Sequence, residues 1–198
     1  MTDYTTLDEV KAYLSISGEG DDALLTTLID RASRLIEDHT GRWFYADERT
    51  RVYDAVGSHI VGNLLLLDAD LLTVTTLTNG DGTEIAADAI ILRPQNDPPF
   101  FGIALKLTSG LHWTYTGDPE GAISVEGTWG FSATAPGAVA LAALRLAAYL
   151  YRQRDTGADW PRGAVSVTER GAAIAPVELP WDIARLLLPY IRYYVKAA

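Results

Sequence analysis

Residues 122–153 read "AISVEGTWGFSATAPGAVALAALRLAAYLYRQ", and the hydrophobic period changes in the middle of that stretch. Up to Gly130 it alternates. Ile123, Val125 and Trp129 fall on one face and Ser124, Glu126 and Thr128 on the other, the pattern of a half-buried strand. After "TAPG" the period becomes helical, with Pro136 placed for a first helical turn. Residues 138–151 then run apolar nearly all round, Arg145 being their one charge. A helix with no polar face has to be buried on more than one side. With only two or three other helices in the chain, its own fold is expected to cover it poorly, which points to a neighbouring subunit. At 14 residues the run is too short to span a bilayer, so no membrane partner is expected. Arginines in "RQRDTG" close it at the negative end of the helix dipole.

Upstream of this switch the chain alternates for about eighty residues. "TRVYDAV", "LTVTTLT", "DAIILR", "IALKLT" and "AISVEGTWG" predict five to seven short strands, with "TNGDGTE" as a tight turn between two of them. The proline pair in "NDPPFFG" marks a loop, and Phe100 and Phe101 are expected to be core plugs. Further upstream the period is helical again. Thr6 with Glu9 forms a capping box for a short helix to about Leu14. Asp21 or Asp22 then caps a longer helix in which Leu24, Leu25, Leu28, Ile29, Ala32, Leu35 and Ile36 recur at helical spacing, stopped by Gly41. Downstream lies a loop of more than twenty residues holding one β-prone patch, "VSVT". Loops of that length inside compact domains tend to be functional. The last helix is expected to open at Pro180–Trp181–Asp182 and to bend at Pro189.

The resulting expectation is an α+β protein: a small bundle of about four helices, residues 1–48 plus 131–198, with an inserted antiparallel β-sandwich or barrel-like region, residues 49–130. Neither helical half has enough apolar partners to form a core alone.

Charge narrows the function. The net charge is −10, which argues against a sequence-reading nucleic-acid binder. Its distribution is uneven: residues 51–130 carry 10 acidic against 3 basic side chains, and residues 131–198 carry 5 against 8. Such a chain can set the basic end of one copy against an acidic surface of another. With no cysteine, thiol chemistry and disulfides are impossible. The N-terminus is polar and acidic, without the look of a signal peptide, so assembly in a cytoplasm is expected. The three histidines have no second ligand at metal spacing, "NGDG" lacks the acidic spacing of a calcium loop, and "DAD" at residues 68–70 reads as a solvated turn. No catalytic residue, metal site or cofactor is indicated, and an enzyme is not expected.

Residues 4–44, "YTTLDEVKAYLSISGEGDDALLTTLIDRASRLIEDHTGRWF", resemble the N-terminal signature of the gp6-like head–tail connector (adaptor) proteins of tailed phages. The matching features are a short "LDEVKAYL" helix, an acidic break, a helix of the form "LxxLIxxAxxxIE" and the closing "TGRWF". Residues 126–155 and "LPWDIARLLLPYIRY" resemble that family's third and last helices. The resemblance implies a virion protein at the neck: a homo-oligomeric ring, generally dodecameric, below the portal protein. Such a ring extends the DNA channel, lets double-stranded DNA pass without specific binding and offers a platform for a stopper or tail-completion protein. It further implies that the C-terminal segment, here Tyr190, Ile191, Arg192, Tyr193, Tyr194 and Lys196, docks on the portal. The long loop, with Trp160, Arg162, Val165, Val167 and Arg170, becomes an inter-subunit arm. Leu144, Arg145 and Leu150 are the expected inter-subunit positions of the apolar helix. Two other classes fit the pattern less well: another tail-completion or neck ring component, and a carbohydrate-binding or hydrolytic β module.

Overall fold

The structure, a computed structural model, describes residues 2–153, 164–168, 171–174 and 179–192. It is of mixed α+β class, with four α-helices and a six-stranded antiparallel sheet among the described residues. The chain divides into a helical unit, Met1–Gly41 with Pro136–Ile191, and a sheet unit, Arg42–Ala135 with Arg192–Ala198.

In the helical unit, α1 (Leu7–Leu14) starts at the capping box: the Thr6 hydroxyl accepts from the Glu9 amide and the Glu9 carboxylate accepts from the Thr6 amide. α2 (Asp22–Thr40) buries Leu25, Leu28, Ile29, Ala32 and Ile36 and ends at Gly41, whose φ of 65° is left-handed. Asp21 precedes α2 without capping it through its side chain. That carboxylate instead accepts a 2.6 Å bond from the Tyr151 hydroxyl of α3.

α3 (Gly137–Gln153) packs on α1, α2 and α4 (Trp181–Leu187), and here the sequence expectation is corrected. Three helices of its own unit bury Val139, Ala142, Ala143, Leu146, Ala147 and Ala148. The alanines make that possible, because small side chains let several helices approach one. Leu141 and Tyr149 stay open. A second correction concerns Pro189. The last helix does not bend there and continue; it ends at Leu187, tightens into a 3₁₀ turn over Leu188–Tyr190, and turns extended at Ile191. Proline lacks the N–H that another helical turn requires.

The sheet unit is built on one antiparallel sheet of six strands. Its strands are β1 (Asp47–Tyr53), β2 (Ile60–Val61), β3 (Leu64–Thr78), β4 (Ile90–Arg93), β5 (Phe100–Leu105) and β6 (Ile123–Trp129), in the order β1-β6-β3-β5-β4 with β2 beside β3. β3, 15 residues long, holds the sheet together: its first half pairs with β5 and its second half with β6, with an irregularity in register between Leu66 and Leu71. The core gathers on one face, around Leu65, Leu71, Ile103, Ile123, Val125 and Trp129. β6 alternates inward and outward as expected. Of the phenylalanine pair, Phe100 packs on this core and Phe101 is 48% exposed. In the long loop, "VSVT" lies in β7 (Ala164–Thr168), which pairs antiparallel with β8 (Gly171–Ile174), a strand the sequence reading did not foresee.

Candidate functional site

The "DAD" segment is where the sequence reading fails most. It is no solvated turn. Both carboxylates lie inside β3, and each meets arginines distant in sequence. Asp70 is 5% exposed. Its Oδ2 accepts from Arg42 at 2.7 Å and its Oδ1 from Arg192 at 3.3 Å, while a second nitrogen of Arg192 donates to the Leu67 carbonyl at 2.8 Å. Ala69, Asp70 and Leu71 are buried in succession: Ala69 and Leu71 continue the core of Leu65 and Leu67, and the two arginines cover Asp70. Both guanidiniums are largely buried, and such groups are retained only when paired.

Asp68, two residues earlier and more exposed, accepts from Arg51 through two nitrogens and from the Tyr53 hydroxyl at 2.7 Å. Burial pushes the Asp68 carboxyl up, but the Arg51 and Tyr53 bonds outweigh it and hold it below the usual carboxylate range. Burial, then the bond to Asp68, pushes the Tyr53 phenol well above its ordinary value. The Arg51 guanidinium also lies over the rings of Trp43 and Trp129, 5.9 and 5.4 Å from their centroids. Among the described residues no group of acidic or histidine side chains could hold a metal. His59 accepts or donates through Nδ1 at the Leu66 carbonyl, 3.0 Å away, with its ring edge-on to Tyr53. The carboxylates of these clusters are thus engaged by arginines and a tyrosine drawn from separate parts of the sheet unit.

Other charged and apolar groups face outward. On the outer face of the sheet, Glu48 and Thr50 of β1 lie beside Glu126 of β6, with Thr50 directly opposite Glu126. Together with Arg49, Thr75 and Gly127 they line a depression of about 300 Å³. Gly127 is required there: a Cβ would stand 2.1 Å from the Thr73 carbonyl of the neighbouring strand. In the helical unit, Trp181 is 76% and Leu188 56% exposed, with exposed Arg185 between them.

The residues singled out from sequence fall into three groups. Leu144 and Leu150 are half-buried on α3, and Arg145 faces Asp182 of α4 at 3.5 Å. Tyr190 closes the 3₁₀ turn, Ile191 is half-buried, and Arg192, expected at a docking surface, is turned into its own sheet unit. Val165 and Val167 lie in β7, while Trp160, Arg162, Arg170, Tyr193, Tyr194 and Lys196 lie outside the described residues. The cue for Asp70 was present: a charge inside "LLLLDADLL", an otherwise continuous apolar run, needs a buried partner.

Residues 4–62, which hold α1, α2, β1 and β2, match the model of a family described as phage gp6-like head-tail connector protein. None of the curated proteins matches the chain in sequence. Three solved chains share its fold over 97% of its length and 91% of theirs. One is from the neck of an empty GTA particle computed with C6 symmetry, 22% identical with a TM-score of 0.59. Another is from the virion of a native gene transfer agent (GTA) particle, 21% identical at 0.60. The third is from the neck of the native GTA particle computed with C12 symmetry, 22% identical at 0.56.

Proposed function

We propose that this chain is a structural, non-catalytic neck protein of a tailed-phage-like particle. It is a head–tail connector that assembles as a ring of twelve copies below the portal and carries a stopper or tail-completion protein on its other side. One coincidence carries the reading. The connector signature at residues 4–62 sits in a chain whose whole fold resembles proteins of particle necks computed with C6 and C12 symmetry. In this reading the half-buried flank of α3, with Leu144 and Leu150, is completed by the next copy, and the β7–β8 segment is the arm that reaches it. The C-terminal segment docks on the portal through Tyr193, Tyr194 and Lys196, and Arg192 serves as its internal anchor rather than as a contact. The net charge of −10 suits a channel through which DNA slides without sticking.

Electron microscopy of the purified protein, alone and mixed with its portal, tests this directly. Twelvefold rings, seen free or stacked on portal, are expected. A protein that stays monomeric under both conditions sinks the connector reading. Tight, salt-sensitive binding to duplex DNA overturns the sliding-channel part of it.

A further inference from the structure

Two exposed features of the described surface carry opposite charge. The first is the stripe on the last helix. Trp181, Arg185 and Leu188 stand at helical spacing, all exposed, while Ile183 and Leu187 are buried. A tryptophan 76% open to water is unusual, since tryptophan is highly buried on average. Tryptophan and arginine are also the residue types that dominate interfaces. The second feature is the depression on the outer sheet face. Its 300 Å³ lies at the lower end of the range for ligand clefts, enough for one indole ring. Glu48 and Glu126 at its rim are acceptors only, whereas an indole N–H and a guanidinium are donors only. Val52, 62% exposed on the same strand, continues the face with an apolar side chain.

We propose that the Trp181–Arg185–Leu188 stripe of one copy docks on the outer sheet face of the next. Trp181 fills the depression, Arg185 pairs with Glu48 and Glu126, and Leu188 lies toward Val52. The occupant is a second copy because the charges match within this chain: the stripe carries Arg185, and the depression carries Glu48 and Glu126, its own Arg49 being paired with Asp47. Since the two patches differ, the contact is heterologous, the kind that closes into rings. The proposal rests on the ring reading above and adds the surfaces that make the ring.

Four variants test it: Trp181→Ala, Arg185→Glu, the double change E48R/E126R, and Arg185→Glu combined with E48R/E126R. Assembly is followed by mass photometry against concentration, and thermal melting confirms that each variant is folded. Trp181→Ala and Arg185→Glu should melt like the parent and need roughly tenfold more protein to assemble. The combined charge swap should recover assembly. A photo-crosslinker at position 181 should join the peptide holding Glu48 or Glu126 of another copy. If the parent forms rings and both single variants form them at the same concentration, or the crosslink maps elsewhere, the docking surface is wrong and the ring reading stands. If the parent never assembles, even on portal, both fall together.

Discussion

The helical unit and the sheet unit differ in how deeply they bury charge. In the helical unit the ion pairs run from half-buried to open: Lys11 with Asp22 and Arg34 with Glu37 are each between 16 and 30% exposed, and Arg145 with Asp182 leaves both side chains about two-fifths exposed. Its interior is apolar, built from Leu25, Ile36, Leu146 and a run of alanines. In the sheet unit, charge is part of the interior, with Asp70 and Arg192 both under 10% exposed. Helices satisfy their own backbone and can meet through apolar faces alone. A single sheet with one buried face needs something to hold its strands in register and its returning chain in place. Here arginine–aspartate pairs join β1 to β3, and both Arg42 and Arg192 to β3.

The contrast breaks most readily at Asp70. Replacing it with alanine leaves two largely buried guanidiniums without their shared carboxylate, and should cost about 3–5 kcal/mol of stability in urea unfolding. Asp182→Ala, which opens the solvent-facing pair of the helical unit, should cost no more than about 1 kcal/mol. Equal costs would show that burial is not what separates the two units.

Backbone approach gives a smaller effect of the same kind. Gly127→Ala forces a methyl group against the Thr73 carbonyl and should destabilise by about 1–3 kcal/mol through strand displacement. Gly137→Ala, at the start of α3 with nothing within 4 Å, should stabilise by about 0.4–1 kcal/mol by restricting the unfolded chain. Thermal melts of the two variants moving in the same direction would contradict this.

The smallest effect is in pH. Asp68 is held below the ordinary carboxylate range, so its contribution is complete above its unfolded value of about 3.9 and is lost as the pH falls through its lower folded value. Asp68→Asn should therefore be less stable than the parent at neutral pH, with the two curves converging as the pH approaches 2. Parallel curves down to that pH would mean that Arg51 and Tyr53 do not set this titration. The side chain is 44% exposed, and solvent screening keeps the difference modest.

Much of this fold can be read locally. The capping box at Thr6, the periodic face of α2, the left-handed stop at Gly41 and the alternation of β6 each depend on neighbours a few residues away. Features that depend on distant partners were misread. Asp21 looked like a cap, yet its carboxylate is taken by Tyr151, 130 residues on. α3 looked bare because the helices that cover it lie at the two ends of the chain. β8, "GAAI", has no strand character of its own and becomes a strand only by pairing with β7.

The sequence by itself determined the elements, their order and the α+β class, because hydrophobic period, caps and turn residues act within a few positions of the chain. It also determined the match of residues 4–62 to the head-tail connector family model. Only the tertiary structure decided which charges meet. Asp70 finds Arg42 and Arg192, 28 and 122 residues away, because the segments that enter the sheet unit and return to it bring their arginines to β3. No local pattern encodes that choice. A charge in an apolar strand can only announce that it needs a partner, and the partner is chosen by what the register of the sheet and the return of the chain bring within reach.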